Sequence, residues 1–207
     1  MASAPETPPL TRIQQKNRAA ILDAALDVFS THGFRGATVD QIAAAAGLSK
    51  PNLLYYFPTK DAIHRTLLDR LMGTWLDPLK ALDETGEPLA EILAYVRRKL
   101  EMARDYPRES RLFANEILQG APRLEGVLKE ELKPLVDEKA DLIRAWAGAG
   151  RIAPVHPYHL IFSIWSLTQH YADFDVQVRA VLGSDVPDPF PEADVYLTQL
   201  FTRMLRV

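Results

Sequence analysis

The segment LSKPNLLYYFPTKDAI, residues 48–63, carries one asparagine amide, two lysine ammonium groups and two tyrosine phenols. Ammonium and phenol groups suit hydrogen bonding to phosphate oxygens, and an asparagine amide suits the edge of adenine. An enzyme would bury such side chains around a substrate, whereas a nucleic-acid-binding protein would leave them outside. The elements that position the segment therefore bear on the function of the chain.

Capping signals and glycines divide this part of the chain into short helices. Thr38 and Gln41 have the T-x-x-Q spacing of a capping box, and Gly47 ends the helix that they begin. Ser49 caps the next helix, predicted over residues 50–57. Two short helices joined by a glycine turn are typical of a helix-turn-helix, whose second helix enters the major groove of DNA.

The helical period predicts which side chains of residues 50–57 face the core. Leu53 and Phe57 lie four residues apart and point inward together. An exposed Leu54 is then placed to meet a thymine methyl group. The polar side chains that remain on other faces are Lys50, Asn52, Tyr55 and Tyr56. Spacing alone also fits two short core helices that carry surface tyrosines.

The remaining chain is predicted to be helical throughout, because no hairpin signal or sustained period-two alternation occurs in it. A first helix covers residues 12–32 and ends at Gly33, and a fourth begins at Thr59 and bends or breaks near Pro78. The later helices are predicted at 88–105, 107–119, 122–149 with a kink or split at Pro134, 157–173, 175–182 and 191–206.

The fold class is therefore predicted to be all-α, with an N-terminal three-helix helix-turn-helix domain and a C-terminal helical bundle. Residues 1–10 contain three prolines and are expected to form a disordered tail. The helix-turn-helix domain is predicted over residues 11–58. The ligand-binding and dimerisation domain is predicted over residues 59–207.

Composition excludes several classes of site and favours one compartment. The 207 residues include no cysteine, so disulfides and thiolate metal sites are excluded and a cytoplasmic location is expected. The longest apolar run is too short to span a bilayer, and the N-terminus lacks the pattern of a signal peptide. The net charge is −3, but the first quarter of the chain is mildly basic, which favours an anionic partner there.

The stretch ILDAALDVFSTHGFRGATVDQIAAAAGLSKPNLLYYFPTKDAI closely resembles the DNA-binding domain of the TetR family, over residues 18–63. The resemblance implies a homodimeric repressor that binds double-stranded operator DNA and a small effector. It implies phosphate contacts from Thr38, Tyr55, Tyr56 and Lys60. It implies base-reading or groove-edge positions at Ser49, Lys50, Pro51, Asn52 and Leu54. Many members carry an aromatic residue where this chain has Leu54.

Other motifs do not predict an enzyme. GAGRIA, residues 148–153, follows a predicted helix and not a strand, so the context of a dinucleotide site is missing. His156 with His159, and His170 with Asp173, have the spacing of paired metal ligands, but no third ligand follows. We therefore predict no catalytic residues, no metal site and no cofactor.

The segment HLIFSIWSLTQHYADF, residues 159–174, is apolar nearly all round, which indicates burial on two sides. One face is expected to pack on a twin subunit and the other to line a cavity. Gln169 on the second face is also compatible with a hydrogen-bonded core amide. Helices 157–173 and 191–206 are predicted to form the dimer interface, filled by Val195, Leu197, Leu200, Phe201, Met204 and Leu205.

The patches RDYPRESRLF, LKPLVDEKADLI and IAPVHPYHLIFSIWSLTQHYADF resemble the pyrimidine-utilisation regulators within the TetR family. This resemblance implies control of pyrimidine catabolism and release from the operator by uracil or a related molecule. A pocket for such a flat ring needs apolar walls and a few amides or hydroxyls. The candidate ligand-binding residues are Trp75, Phe113, Asn115, Trp165, Gln169 and Tyr171.

Two alternatives remain open at this level. The chain fits a TetR-type regulator with an unrelated effector, and also an all-α enzyme or small-ligand carrier that uses the cavity of the bundle. DNA binding that weakens steeply as salt rises separates the regulators from the other class.

Overall fold

The computed structural model describes residues 11–207, and the tail expected at residues 1–10 lies outside this range. The chain divides into two compact units, one ending at Leu67 and the other covering Leu68–Val207. The division lies nine residues beyond the predicted boundary, inside a helix. Within the described range, every helix is too short or too polar to cross a membrane.

The first unit contains α1 (Arg12–Gly36), α2 (Val39–Ala45), α3 (Lys50–Tyr56) and the beginning of α4 (Lys60–Lys80). Both halves of the predicted capping box are present, since the Thr38 hydroxyl accepts from the backbone N–H of Gln41 and the Gln41 side chain accepts from that of Thr38. Gly33 has φ 64° and interrupts the helical geometry of α1, but one more turn follows it, to Gly36. Gly47, with φ 67°, occupies the left-handed region in the turn between α2 and α3.

The second unit follows from the end of α4. It contains α5 (Pro88–Asp105), α6 (Pro107–Leu118), α7 (Glu125–Val127), a π-helical turn (Leu128–Leu132), α8 (Lys133–Gly148), α9 (Pro157–Asp173), α10 (Asp175–Leu182) and α11 (Phe190–Leu205). Side chains of α5, α8, α9 and α11 form its hydrophobic core. The all-α prediction is confirmed.

Two prolines have different effects on their helices. Pro134 lies just after the π-helical turn, at the position of the predicted kink or split, and a proline has no N–H to donate to the carbonyl four residues before it. Of the bend or break predicted near Pro78, the break does not occur, since α4 continues through Pro78 to Lys80. Only two helical residues follow Pro78, so little of the helix lies beyond the missing hydrogen bond.

The predicted interface residues of α11 separate into two groups. Leu197, Phe201 and Leu205 are fully buried in the core of their own unit, so the prediction that they fill a contact with a second subunit is wrong. Val195 and Met204 are exposed, and Leu200 is half-buried. An apolar helical stripe shows that a face is buried but does not show what covers it.

Candidate nucleic-acid interface and ligand cavity

The orientation of α3 is set by its buried anchors. Leu53 and the capping residue Phe57 are fully buried in the first unit, as the helical period predicts. Tyr55 is 71% exposed, and Lys50 and Asn52 are exposed with it, as is Pro51. Leu54 is half-buried and not exposed as predicted, since it directly follows the anchor Leu53 around the helix.

Side chains of α1 hold the two tyrosines of α3. The amide of Gln14 donates to the Tyr55 hydroxyl oxygen at 3.3 Å, and the amide of Asn17 donates to the Tyr56 hydroxyl oxygen at 3.0 Å. Arg18 lies 4.1 Å from the centre of the Phe57 ring and donates to the Tyr56 carbonyl at 3.4 Å. Each phenol accepts from α1 and therefore keeps its own O–H for a phosphate oxygen.

The sequence analysis did not identify these α1 residues as part of the interface. A signal was available, because Gln14, Asn17 and Arg18 follow i, i+3, i+4 spacing and lie on one face of the predicted helix. The hydrogen bonds from this face of α1, and not only the positive charge of the first quarter of the chain, position the phenols of Tyr55 and Tyr56.

Three other predicted DNA contacts already have partners within the first unit. The Lys60 ammonium donates to the carbonyls of Phe34 and Ala37 at 2.7 and 2.6 Å, at the end of α1. Lys50 pairs with Asp40 at 2.9 Å, on the surface. The Thr38 hydroxyl donates to the Gln41 side chain at 2.9 Å. The Thr38 hydroxyl has one O–H and must leave Gln41 to donate to a phosphate, whereas Lys50 uses one of its three N–H groups in the bond to Asp40.

Ser49 has a local role that is independent of DNA. Its hydroxyl accepts from the backbone N–H of Asn52 at 3.4 Å and so caps α3. Such a cap contributes about 1 kcal/mol to the stability of a helix. It also fixes the start of α3, where Lys50, Pro51 and Asn52 lie.

The second unit contains a small cavity with a volume of about 40 Å³. It is lined by Met72, Trp75, Leu76, Leu79, Tyr95, Lys99, Phe113, Leu132, Trp165 and Gln169. A single water needs about 10–15 Å³ by this measure, so the space suits about three waters or one small ring. Two indoles, one phenol, one amide and one ammonium group are its chemically specific features.

Four of the six predicted ligand-binding residues line this cavity, namely Trp75, Phe113, Trp165 and Gln169. Asn115 and Tyr171 do not line it. Each lies two residues from a lining residue of its own helix, which turns it about 200° away. The Tyr171 ring lies beside Phe190 instead, with 5.9 Å between the ring centres.

Two residues of α5 complete the cavity and were missed by the sequence analysis. The Lys99 side chain is 3% exposed, and its ammonium lies 4.6 Å from the centre of the Trp75 ring. The Tyr95 hydroxyl oxygen accepts from the indole N–H of Trp165 at 2.6 Å. Lys99 belongs to the run RRK, which reads in the sequence as a solvated helix face, so only the fold identifies it.

Burial changes the ionisation of both α5 residues. It lowers the pKa of Lys99 to about 8, and the negative charge of Asp173 opposes this effect. Burial also raises the pKa of Tyr95, so its phenol stays neutral. Asp173 accepts from the Ser110 hydroxyl at 2.6 Å, and burial raises the pKa of this carboxyl.

The histidine pairs do not form a metal site in the described part of the chain. The rings of His156 and His159 lie 4.5 Å apart, centre to centre. Within residues 11–207, no group of three histidine or acidic side chains could hold a metal ion together.

The low pKa of Lys99 predicts a pH-dependent contribution to stability. The unfolded chain keeps this proton up to the ordinary pKa of 10.5, whereas the folded chain releases it at about 8. The unfolded state therefore binds more protons between these pH values, and stability rises with pH there. Full protonation of the buried group costs about 3 kcal/mol.

Replacement of Lys99 by methionine removes this cost. We expect Lys99→Met to be more stable than the wild type at about pH 7, with an advantage that shrinks towards about pH 10. Urea unfolding of both proteins at the two pH values gives the comparison, and titrating groups that do not interact with Lys99 cancel in the difference. A difference that does not change with pH would contradict the assignment of a low pKa to Lys99.

Comparison with known proteins gives two family matches. Residues 21–66 match the model for bacterial regulatory proteins of the tetR family, and residues 68–207 match the model for the C-terminal region of the YcdC-like protein. The second match alone covers more than half of the chain.

Individual relatives are consistent with these matches. The chain is 49% identical over 197 residues to the HTH-type transcriptional regulator RutR of Escherichia coli K12, which covers 95% of this chain and 91% of that protein. It is 40% identical over 54 residues, 26% of this chain, to the regulator EthR of Mycobacterium tuberculosis. These relatives are transcriptional regulators and not enzymes.

Solved structures show the same fold at low identity. A putative transcriptional regulator of Streptomyces coelicolor, SCO4942, has a TM-score of 0.71 and 23% identity, and covers 91% of this chain and 98% of its own. AibR, in complex with isovaleryl coenzyme A and operator DNA, has a TM-score of 0.68 and 18% identity, with coverages of 89% and 97%. From the family matches and the RutR similarity, the chain belongs to the TetR family of bacterial regulatory proteins and is a ligand-responsive, DNA-binding transcriptional regulator.

Proposed function

We propose that the protein is a homodimeric cytoplasmic repressor of pyrimidine or related nitrogen catabolism, released from its operator by uracil or a similar flat molecule. The observation that carries the proposal is the cavity of the second unit, where Trp75, Phe113 and Trp165 provide flat apolar walls and Gln169 provides an amide. Its small volume favours a single ring over a long acyl chain. The similarity over 95% of the chain to RutR, an HTH-type transcriptional regulator, supports the regulatory part of the proposal.

A single helix, α4, begins in the DNA-binding unit and also carries a residue that lines the cavity. Trp75 belongs to α4, and α4 begins at Lys60, four residues after the end of α3. A ligand releases DNA only if it favours a conformation that binds DNA less well. We infer that contact with Trp75 shifts α4 and so changes the separation of the two α3 helices in the dimer.

The proposed dimer uses surfaces that α9 and α11 leave exposed. Phe162 and Val195 are 44% and 57% exposed, and Phe174 and Tyr196 are exposed as well. Exposed aromatic and aliphatic groups on helices of one unit are typical of a protein interface. A two-fold axis then implies a pseudo-palindromic operator.

The first prediction of this proposal concerns the DNA face. Tyr55→Ala should weaken binding to all sequences, whereas Asn52→Ala should mainly relax sequence choice, by about 1–3 kcal/mol at one base pair. Tyr55→Phe keeps the ring on α3 and removes only the hydroxyl, so it should also weaken binding to all sequences if the phenol O–H contacts phosphate. Fluorescence anisotropy with operator and scrambled DNA measures both effects, and an unchanged specificity ratio for Asn52→Ala would contradict its role.

The second prediction concerns assembly. Phe162→Glu should give a monomer with greatly weakened operator binding, because a buried unpaired carboxylate is costly in an interface. Leu118→Glu is the control, since Leu118 is 83% exposed at the end of α6, which is not one of the two helices of the proposed interface. Light scattering gives the mass of each variant. A dimeric Phe162→Glu protein would place the interface elsewhere.

The third prediction tests the effector. Gln169→Leu should keep the dimer and its operator binding but lose release by uracil, because an unpaired polar ring edge costs about 1–3 kcal/mol. Tyr171→Phe, outside the cavity on the same helix, should behave as the wild type. Calorimetric titration with uracil and thymine, beside a DNA-release assay, decides the matter. A wild-type protein that responds to no pyrimidine would remove the proposed effector class.

A further inference from the structure

The polar groups of the cavity are mainly hydrogen-bond donors. Lys99 presents an ammonium group, and Tyr95, whose oxygen already accepts from Trp165, keeps its O–H to donate. The indole N–H of Trp75 is buried and has no hydrogen-bond partner among the described residues. Only Gln169 adds a side-chain amide that also accepts. A ligand that satisfies these groups must present acceptors.

The Lys99 ammonium is the group with most to gain from a ligand. Lys99 as a residue is 3% exposed, and its Nζ lies 4.6 Å from the centre of the Trp75 ring. Within residues 11–207 the structure gives this ammonium no hydrogen bond or ion pair. Asp173 is the acidic group that acts on it, but that carboxylate accepts from Ser110 at 2.6 Å and also lies in the field of Arg111. A buried ammonium without hydrogen bonds is costly, so a ligand oxygen next to it is strongly favoured.

A second buried lysine shows the usual arrangement. Lys139, 8% exposed, donates to the Leu82 carbonyl at 3.2 Å and pairs with Glu138 at 2.9 Å. Its requirement for acceptors is met within the protein. The contrast between the two lysines indicates that Lys99 is arranged for a ligand and not for the stability of the bundle.

We propose that Lys99 is the specificity-determining residue of the cavity, and that it binds a cyclic imide as its ring anion, formed by loss of the imide proton to solvent, and rejects rings that present an amino group there. This inference rests on the proposed function, because it selects among flat ring effectors of the same site. An imide offers two carbonyl oxygens with an acidic N–H between them, and loss of that proton places negative charge beside the ammonium. A ring amino group would bring a donor against a donor.

The experiment compares uracil, 5-fluorouracil and cytosine by calorimetry, with wild type and Lys99→Met. Fluorine is close to hydrogen in size but makes the ring more acidic. We expect the wild type to bind 5-fluorouracil more tightly than uracil and to bind cytosine far more weakly. Lys99→Met should bind uracil at least about 10-fold more weakly, since a charge-assisted hydrogen bond is lost, and should no longer prefer the fluorinated ring. The pH is kept well below the Lys99 pKa of about 8.

Two controls separate a binding role from a structural one. Lys139→Met removes the other buried lysine and should leave all three affinities unchanged. The melting temperature of ligand-free Lys99→Met should equal or exceed that of the wild type, because methionine replaces a buried charge. Unchanged uracil affinity in Lys99→Met, or a persistent preference for 5-fluorouracil, would overturn the proposal. If the variant does not fold, a wild-type protein that ignores ring acidity would overturn it equally.

Failure of the proposed pyrimidine effector gives a different result. The wild type would then bind none of the three rings, and nicotinate and nicotinamide become the probes, as flat rings that differ in a carboxylate and an amide. Binding of nicotinate that depends on Lys99 would retain the role of this residue without the pyrimidine. Absence of any such preference would overturn that role as well.

Discussion

The packing of α5 against α9 is the constraint on which the ligand cavity depends. Buried aliphatic side chains on both helices, among them Ile92, Val96, Ile161 and Ile164, bring the two backbones together. That packing fixes the Trp165 indole 2.6 Å from the Tyr95 hydroxyl oxygen, and it places Lys99, one turn further along α5, inside the protein. The charge is thus buried by apolar neighbours and not by a carboxylate partner, which explains why its pKa falls.

In the first unit, polar side chains of α3 face outward and are restrained by hydrogen bonds. Leu53 is buried and fixes the rotation of α3, and Gln14 and Asn17 of α1 then restrain the exposed phenol of Tyr55 and the half-buried phenol of Tyr56 by hydrogen bonds. Restraint before binding lowers the entropy lost when a surface side chain contacts DNA. The arrangement answers the question that the clustered tyrosines raise, because these aromatic groups are held at the surface by a neighbouring helix.

The sequence predicted the features that local chemistry determines. The capping box of α2, the Ser49 cap and the helix irregularity at Pro134 each depend on residues within four positions of one another, and all are present. Features that depend on distant packing were predicted less well. Asn115 and Tyr171 were chosen for their chemistry and not for their register, and the apolar face of α11 could not be divided between its own core and a partner. The run RRK is typical of a solvated helix face, and Arg97 and Arg98 are indeed exposed, but Lys99 is buried in the folded protein.

Three lysines of the described residues, one in the first unit and two in the second, are partly or fully buried and differ in the groups that surround the ammonium. Lys60 donates to backbone carbonyls at the end of α1, and Lys139 donates to the Leu82 carbonyl. In both cases the backbone meets the requirement of an ammonium removed from water, and the lysine ties two segments together. Lys99 has the face of an indole in that place. The Lys99 ammonium, which has no hydrogen bond within residues 11–207, keeps its N–H groups available for an acceptor, whereas Lys60 and Lys139 use N–H groups on carbonyl oxygens. The same residue type is therefore structural at two positions and suited to ligand recognition at the third, and the difference lies in what surrounds the ammonium.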